Sequence, residues 1–251
     1  MIWPTDYVDK IICGDCLEVM KGIPDGVIDA VITDPPYSSG GQFRGDRSLK
    51  PSLKYVQTDS IETERSEFTG DNRDQRAFLA WSTMWLSQLH RISKPGAVGM
   101  IFTDWRQLPT VTDAVQCGGW IWRNIVTWWK PGIRMQRGRF SSSAEYVVYC
   151  SKGIPSPGEC SPQNVLSVRP VGGKDKAHIA EKPIGLLSIL AGATPTGATI
   201  LDPFLGSGTT AKACKLTRRH FIGIEINPDC CKITRDGLRQ GVLGDLTNQF
   251  D

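Results

Sequence analysis

A glycine-rich loop between a predicted strand and a predicted helix constrains the fold more than any other feature of the sequence. The run Asp202–Thr209 reads DPFLGSGT and follows an apolar stretch at 198–202. Glycines at such a position let the backbone turn tightly and let a ligand approach the main chain without a Cβ in the way. Glu225 ends the next predicted strand, where nucleotide-binding α/β units place a carboxylate on the ribose hydroxyls. The pattern therefore predicts a strand–loop–helix–strand unit that binds a nucleoside-containing ligand.

This loop differs from the usual phosphate-binding loops. A P-loop needs Gly-Lys-Ser or Gly-Lys-Thr at its end, and Lys212 comes too late in the sequence. Ala211 stands where a dinucleotide fingerprint has its third glycine. Asp202 would repel a pyrophosphate but suits a cationic amino-acid group, so S-adenosylmethionine fits the loop better than a dinucleotide. The alternative is a tight turn with a purely structural role.

Strands and helices alternate along most of the chain. The predicted strands are 28–33, 98–103, 124–129, 145–150, 198–202 and 221–225, and the predicted helices are 76–92, 107–117, 183–190 and 207–217. No helical pattern separates strands 124–129 and 145–150, so these two should pair antiparallel. The alternation predicts a single α/β domain over 1–251 with an open, mostly parallel sheet. Segments 38–75 and 151–177 interrupt it, either as functional loops or as disordered surface insertions.

Composition argues against several classes of protein. Hydrophobic residues make up 40% and charged residues 22% of the 251 residues, which is typical of a globular chain and not of a disordered or fibrous one. The sequence has no apolar run of transmembrane length and no signal pattern at its first residues, so we expect a cytoplasmic protein. The formal net charge of +3 is too small to indicate a nucleic-acid partner by itself.

The eight cysteines are predicted to be free thiols. Cys13 and Cys16 form a CxxC motif, but a zinc site needs two further ligands. Cys230 and Cys231 are adjacent and have poor geometry for a second pair, so we predict no metal site.

A second motif, Asp34-Pro35-Pro36-Tyr37, directly follows the predicted strand 28–33. The two prolines fix φ and remove two backbone donors, so this turn presents rigid acceptors. The Asp34 carboxylate and the Pro35 carbonyl can bind the two hydrogens of an exocyclic amine and expose the nitrogen lone pair to a methyl donor. Tyr37 can stack on a base that has been flipped out of a duplex. A proline turn that merely closes a strand would explain Pro35 and Pro36, but not Asp34 and Tyr37.

These two motifs, in this order, resemble the β class of amino-methylating DNA methyltransferases, which use S-adenosylmethionine. The resemblance covers roughly residues 10–240. It implies a Rossmann-like methyltransferase fold with seven strands, one of them antiparallel, and a circularly permuted motif order. It further implies methyl transfer by base flipping to the N6 of adenine in double-stranded DNA. N4-cytosine methylation is the alternative, although those enzymes more often carry Ser in the Asp position, and a non-catalytic module that binds cofactor and DNA is a remote one.

The resemblance also assigns roles to individual residues. The catalytic motif corresponds to Asp34, Pro35, Pro36 and Tyr37. The cofactor-binding residues that it implies are Asp202, Phe204, Gly206, Ser207, Gly208 and Thr209 in the loop, Glu225 at the ribose, Asp15 at the adenine, and His178 and Lys182 in an HxxxKP-like segment beside the cofactor carboxylate. The same likeness fits a bacterial or phage-encoded enzyme, whether restriction-linked or solitary, and leaves the oligomeric state open.

A basic loop is the predicted contact with DNA. Arg134, Arg137 and Arg139 lie between the two antiparallel strands, where they could neutralise phosphates. The alternative is an ordinary solvated turn. The family usually has its target-recognition region in the interval that corresponds to 151–177, which is short here. We therefore expect a short or relaxed recognition site, or a share of the task for segment 38–75.

Overall fold

The computed structural model describes residues 1–36, 73–133, 137–138, 140–172 and 182–239. Of the predicted insertion 38–75, only residues 73–75 are described. Of the predicted insertion 151–177, residues 151–172 are described.

Eight strands form one sheet in the described part of the chain. They are β1 (Lys10–Cys13), β2 (Ile28–Thr33), β3 (Ser93–Thr103), β4 (Ile121–Trp129), β5 (Ala144–Ser151), β6 (Val165–Ser167), β7 (Thr199–Asp202) and β8 (His220–Glu225). The sheet order is β1-β8-β7-β2-β3-β5-β4-β6. Strand β5 pairs antiparallel with both β3 and β4, and all other pairs are parallel. The mixed α/β fold and the antiparallel pairing are therefore confirmed.

The described residues also form six helices. They are α1 (Cys16–Lys21), α2 (Gln75–Ile92), α3 (Leu108–Cys117), α4 (Ile184–Gly192), α5 (Thr209–Leu216) and α6 (Pro228–Arg239). The Asp74 carboxylate caps α2 by accepting a hydrogen bond of 3.0 Å from the Ala77 amide. Strand β3 starts at Ser93, directly after α2, and not at the predicted position 98. Its register with β2 shifts between the pairs Ile28–Ser93 and Ala30–Val98, so the intervening Pro95 lies in an irregular stretch.

Alternate residues of the strands pack into two apolar cores, one on each face of the sheet. On one face, Val31 belongs to the same cluster as Phe78 and Leu89 of α2. On the other, Ile32 belongs to the same cluster as Leu187 of α4. This reversal between adjacent residues is the two-residue period of a strand that is buried on both faces.

The structure adds elements that the sequence patterns did not predict. Within the described residues the sheet has eight strands rather than the seven that the resemblance implies, because β6 in interval 151–177 pairs with strand β4. Strand β1 and helices α1 and α6 are also additional. Three of these elements escape pattern analysis because β1, β6 and α1 are only four, three and six residues long. Among the described helices, none combines the length and the apolar character needed to cross a membrane.

The packing of α2 gives a direct test of the fold. We expect Leu89→Ala to lower the free energy of unfolding by about 2–5 kcal/mol, because Leu89 is fully buried and its removal leaves a cavity. Met84→Ala on the same helix is the control. Its side chain is 56% exposed, so the change should stay within about 0.5 kcal/mol. Urea unfolding followed by circular dichroism measures both, and equal effects would contradict this packing.

Candidate active site

The two sequence motifs meet at one edge of the sheet. Parallel strands β2, β7 and β8 are neighbours, so their carboxyl ends lie side by side. Asp34 follows β2, Asp202 ends β7, and Glu225 ends β8. Ligands of open α/β sheets bind at this edge.

The Asp202 side chain ties the two motifs together. Its Oδ1 accepts hydrogen bonds from the Thr33 hydroxyl at 2.7 Å and from the Phe204 amide at 3.0 Å. Its Oδ2 accepts one from the Thr210 hydroxyl at 2.7 Å. Burial raises the pKa of the Asp202 carboxyl from its ordinary 3.8 to about 6, although these three donors oppose the shift. Asp202 therefore organises the loop, and its predicted contact with the cofactor's amino group stays a prediction.

The glycine loop has a shape that its sequence makes possible. Gly206 and Gly208 have φ values of +54° and +82°, in the left-handed region that favours glycine. An added Cβ at Gly208 would lie 2.1 Å from Thr234 Cγ2, so no side chain fits there. The Thr234 hydroxyl in turn donates a hydrogen bond of 2.9 Å to the Gly206 carbonyl. Helix α5 begins after Gly208 without a side-chain cap, which leaves its first amides available to an anionic group.

Glu225 and Asp15 lie beside this loop. One carboxylate oxygen of Glu225 accepts a hydrogen bond of 2.8 Å from the Gly206 amide, and the other accepts one of 2.8 Å from the Asn227 amide. A carboxylate can accept about four hydrogen bonds, so it can still bind ribose hydroxyls. The Gly14 amide donates to the Glu225 carbonyl at 2.9 Å, which brings Asp15 to the same place. Asp15 caps helix α1 through the Leu17 amide at 2.8 Å.

Phe204 anchors the loop from below. Its ring lies 5.4 Å from the ring of Trp81 and 5.3 Å from that of Trp85, in tilted and edge-on contacts. The Arg73 guanidinium lies 4.2 Å from the centre of the Trp81 ring. Ser207 and Thr209 have their hydroxyl oxygens 3.5 Å apart in the same loop. Phe204 thus has a packing role, and its predicted cofactor contact stays a prediction.

A partly buried network of charges adjoins Asp34. The Lys182 ammonium contacts Asp34 Oδ2 directly and lies 3.5 Å from Glu145 Oε2. Glu145 Oε1 is paired with Lys130. The structure pairs Lys182 with Asp34, and its contact with the cofactor carboxylate, which the resemblance implies, stays a prediction. Glu145 belongs to no sequence motif, because nothing in a linear sequence signals a contact with Lys182.

Lys182 and Glu145 are both held in their charged forms by their neighbours. Burial would lower the pKa of the Lys182 ammonium, but Asp34 and Glu145 outweigh burial and raise it. Burial would raise the pKa of the Glu145 carboxyl, but Lys182 and Lys130 outweigh burial and lower it. Among the four named residues, two carboxylates face two ammonium groups, so their formal charges balance.

The remaining predicted residues are distributed as follows. Pro35 is buried and Pro36 is half-buried after Asp34. Tyr37, His178, Arg134 and Arg139 lie outside the described residues. Arg137 is exposed in the β4–β5 loop, at the same edge of the sheet as Asp34. All eight cysteines are described and carry free thiols, and the described His, Cys, Asp and Glu side chains form no group of three suited to a metal.

An exposed tryptophan that no sequence motif indicates lies at this edge. Trp105 follows β3, the strand next to β2, and is 58% exposed. Asp104 Oδ1 fixes the turn by accepting hydrogen bonds of 3.0 and 2.9 Å from the Arg106 and Gln107 amides. The Arg106 guanidinium lies 5.1 Å from the centre of the Trp105 ring. A single aromatic residue in a loop has no sequence pattern that would have revealed it.

Comparison with known sequences gives consistent matches. A family model described as DNA methylase, covering N6- and N4-specific enzymes, matches residues 28–236. The type II methyltransferase M2.MboI of Moraxella bovis is 28% identical over 233 residues, which span 84% of this chain and 81% of that protein. The type II methyltransferase M.HinfI of Haemophilus influenzae is 25% identical over 268 residues, spanning 94% and 70%.

Solved structures share the fold. The Thermus thermophilus protein TTHA0409, in complex with S-adenosyl-L-methionine, superposes with a TM-score of 0.67 at 19% identity and covers 94% of this chain and 97% of its own. The cytosine-N4-specific PvuII DNA methyltransferase gives a TM-score of 0.67 at 16% identity, with coverage of 90% and 84%. At these identities the likeness concerns the architecture of the sheet and its helices.

The raised pKa of Asp202 gives a pH-dependent stability. Between the ordinary value of 3.8 and about 6, the folded chain holds a proton on Asp202 that the unfolded chain lacks. The stability that Asp202 contributes must therefore fall as pH rises through this window, by at most about 1.4 kcal/mol per pH unit. The asparagine of Asp202→Asn cannot ionise. The unfolding free energy of the wild type minus that of Asp202→Asn should therefore decrease between about pH 4 and about pH 6.

Urea unfolding of both proteins across this range measures the difference. Using the difference cancels the other titrating groups, which the two proteins share. A pH-independent difference would mean that the pKa of Asp202 is the same in the folded and unfolded chain.

Proposed function

The chain belongs to the family of N6- and N4-specific DNA methylases, and from this premise we propose that it methylates the N6 of adenine in double-stranded DNA, with a flipped-out base. The observation that supports the chemistry is the position of Asp34 directly after β2, next to the strand that leads into the glycine loop. An acceptor for the target amine and a site for the methyl donor are thereby adjacent. The Asp rather than Ser in this motif supports adenine over cytosine.

S-adenosylmethionine is the cofactor of the enzyme, and the residues at the sheet edge fit it. Glu225 suits the ribose hydroxyls, the left-handed glycines leave room for close approach, and the uncapped start of α5 suits the carboxylate. When bound, the cofactor supplies an electrophilic methyl group on a sulfonium whose S–C electrons stay with the sulfur.

Asp34 supplies the other half of the chemistry. Its carboxylate accepts an N–H of the target amine, and the Pro35 carbonyl accepts the second, which turns the nitrogen lone pair toward the methyl group. As the N–C bond forms, the nitrogen loses one proton, which passes by way of Asp34 to solvent. Because Pro35 is buried and φ is fixed at both prolines, the backbone holds the Pro35 carbonyl in place for this contact.

DNA binds, in this proposal, across the edge that carries Asp34. Arg137 and the exposed Trp105 with its neighbouring Arg106 lie at that edge and suit phosphates and bases. Arg134, Arg139 and segments 38–75 and 151–177 stay predicted contacts. Lys130, which directly follows β4, is already paired with Glu145 and does not serve this role.

The type II methyltransferases among the relatives support a role in restriction–modification. Methylome sequencing of an expressing host would test this role by revealing a short recognition motif.

Nucleoside mass spectrometry tests the substrate. Unmethylated genomic DNA incubated with the enzyme and S-adenosylmethionine should yield N6-methyladenine. N4-methylcytosine as the product would contradict the adenine assignment and retain the family.

Asp34→Ala tests the catalytic role. We expect the product to disappear while the Kd for S-adenosylmethionine stays within about twofold, because Asp34 binds the target base and not the cofactor. Lys182 keeps Glu145 as an acidic neighbour in this variant, so the fold should persist. Wild-type turnover by Asp34→Ala would refute the mechanism.

Trp105→Ala tests the DNA-binding edge. Loss of base stacking is worth about 1–3 kcal/mol, so the Kd for duplex DNA should rise by about 5- to 150-fold. Trp122→Ala is the matched control, since Trp122 is 45% exposed but lies at the opposite end of β4. Fluorescence anisotropy of labelled DNA measures both Kd values, and equal Kd values for the two variants would place DNA elsewhere.

A further inference from the structure

Lys182 lies between two carboxylates, and only one of them, that of Asp34, belongs to the proline turn. Its ammonium contacts Asp34 Oδ2 on one side. On the other side it lies 3.5 Å from Glu145 Oε2, a buried oxygen that accepts no hydrogen bond among the described residues. A buried acceptor without a hydrogen bond is destabilising, and the nearby ammonium compensates it only in part. The arrangement therefore has a second place prepared for the same ammonium group.

Lys182 has little freedom to go elsewhere. Its side chain is only 10% exposed. The ammonium lies 5.3 Å from the centre of the Phe102 ring, and Phe102 itself is fully buried. A charged ammonium in a low-dielectric environment is stable only with a compensating charge nearby. Glu145 supplies a second carboxylate within ion-pair distance of it.

The proposed reaction requires Asp34 to change partners. The target amine must donate an N–H to the Asp34 carboxylate, where Lys182 now makes a strong, charge-assisted contact. An ammonium held against Asp34 also weakens that carboxylate as an acceptor and as a route for the departing proton. Productive binding of the base is therefore favoured when Lys182 moves away from Asp34.

We propose that Glu145 is a positioning residue that accepts the Lys182 ammonium when the target base binds Asp34. The exchange moves Lys182 from Asp34 Oδ2 to Glu145 Oε2, breaks no covalent bond and leaves the net charge of the site unchanged. Lys130, which is paired with Glu145 Oε1, holds the carboxylate in place for this transfer. This inference rests on the proposed role of Asp34 as the acceptor of the target amine.

Glu145→Gln tests the exchange in the full-length enzyme. Without the carboxylate, Lys182 stays on Asp34, so kcat for methylation of unmethylated genomic DNA should fall by at least about tenfold. The Kd for S-adenosylmethionine should stay within about twofold, because Glu145 does not touch the glycine loop in this scheme. An unchanged kcat overturns the inference. A rise in the Kd for S-adenosylmethionine as large as the fall in kcat also overturns it.

A double-mutant cycle shows whether Glu145 acts through Lys182. In a Lys182→Met background the competitor of the target amine is gone, so adding Glu145→Gln should change kcat by less than about twofold. Multiplicative effects of the two substitutions would overturn the inference. The inference would also be overturned if Lys182→Met raised the Kd for S-adenosylmethionine while Glu145→Gln left kcat unchanged. In that case Lys182 would serve the cofactor carboxylate.

Two controls separate this inference from folding and from the proposed function. Lys94→Met removes an ion pair of 2.6 Å with Asp29 at the far end of β2 and should leave kcat unchanged. Should Glu145→Gln unfold because Lys130 loses its partner, Glu145→Gln/Lys130→Met removes both charges and must show the same fall in kcat. If Asp34→Ala abolishes methylation while both of these Glu145 variants retain wild-type kcat, the exchange alone is wrong. If Asp34→Ala retains methylation, the proposed role of Asp34 fails.

Discussion

The hydrogen bonds to Asp202 are the interaction on which the site depends. Thr33 ends β2 one residue before Asp34, and Thr210 lies in the first turn of α5. Both hydroxyls meet the same buried carboxylate, so the strand of the proline turn and the loop of the glycines share one fixed point. A buried carboxylate is stable only when its oxygens are hydrogen-bonded, and that requirement fixes the spacing of the two loops. The fold, rather than flexible side chains, thereby determines the distance between the glycine loop, where the methyl donor binds, and the proline turn that carries Asp34.

The charge network of Asp34, Lys182, Glu145 and Lys130 is partly buried. Replacing buried ion pairs by apolar groups is often neutral or stabilising, so the network is weak evidence for a role in folding and fits a role in the reaction. The site must accommodate a cationic methyl donor and a nitrogen that becomes transiently positive. A network with no net charge avoids repelling either, and Lys182 and Glu145 can redistribute their contacts without altering that balance. The electrostatic requirements of the reaction, and not packing alone, explain the charge network around Asp34.

Sequence patterns predicted the parts of the structure that depend on local order. The strand–helix alternation, the pairing of β4 with β5 and the position of Asp34 beside the glycine loop all follow from contiguous motifs. The contact between Asp34 and Lys182 does not, because the two residues are 148 positions apart and their contact depends on how α4 packs. Strand β6 has three residues, too few for any periodicity, and it forms because β4 offers an unpaired edge. Long-range contacts and very short elements are therefore what the linear sequence leaves undetermined.

The antiparallel strand gives the site something that a wholly parallel sheet could not. In a parallel sheet every strand brings its carboxyl end to the active edge, so side chains there come from strand ends and the loops that follow. Strand β5 runs the other way, and its register pairs Tyr146 with Thr103, the last residue of β3. The beginning of β5 therefore lies at the active edge, and Glu145 reaches Lys182 from a rigid strand rather than from a mobile loop. The reversal of one strand thus places a carboxylate beside the reaction centre with the precision of the sheet itself.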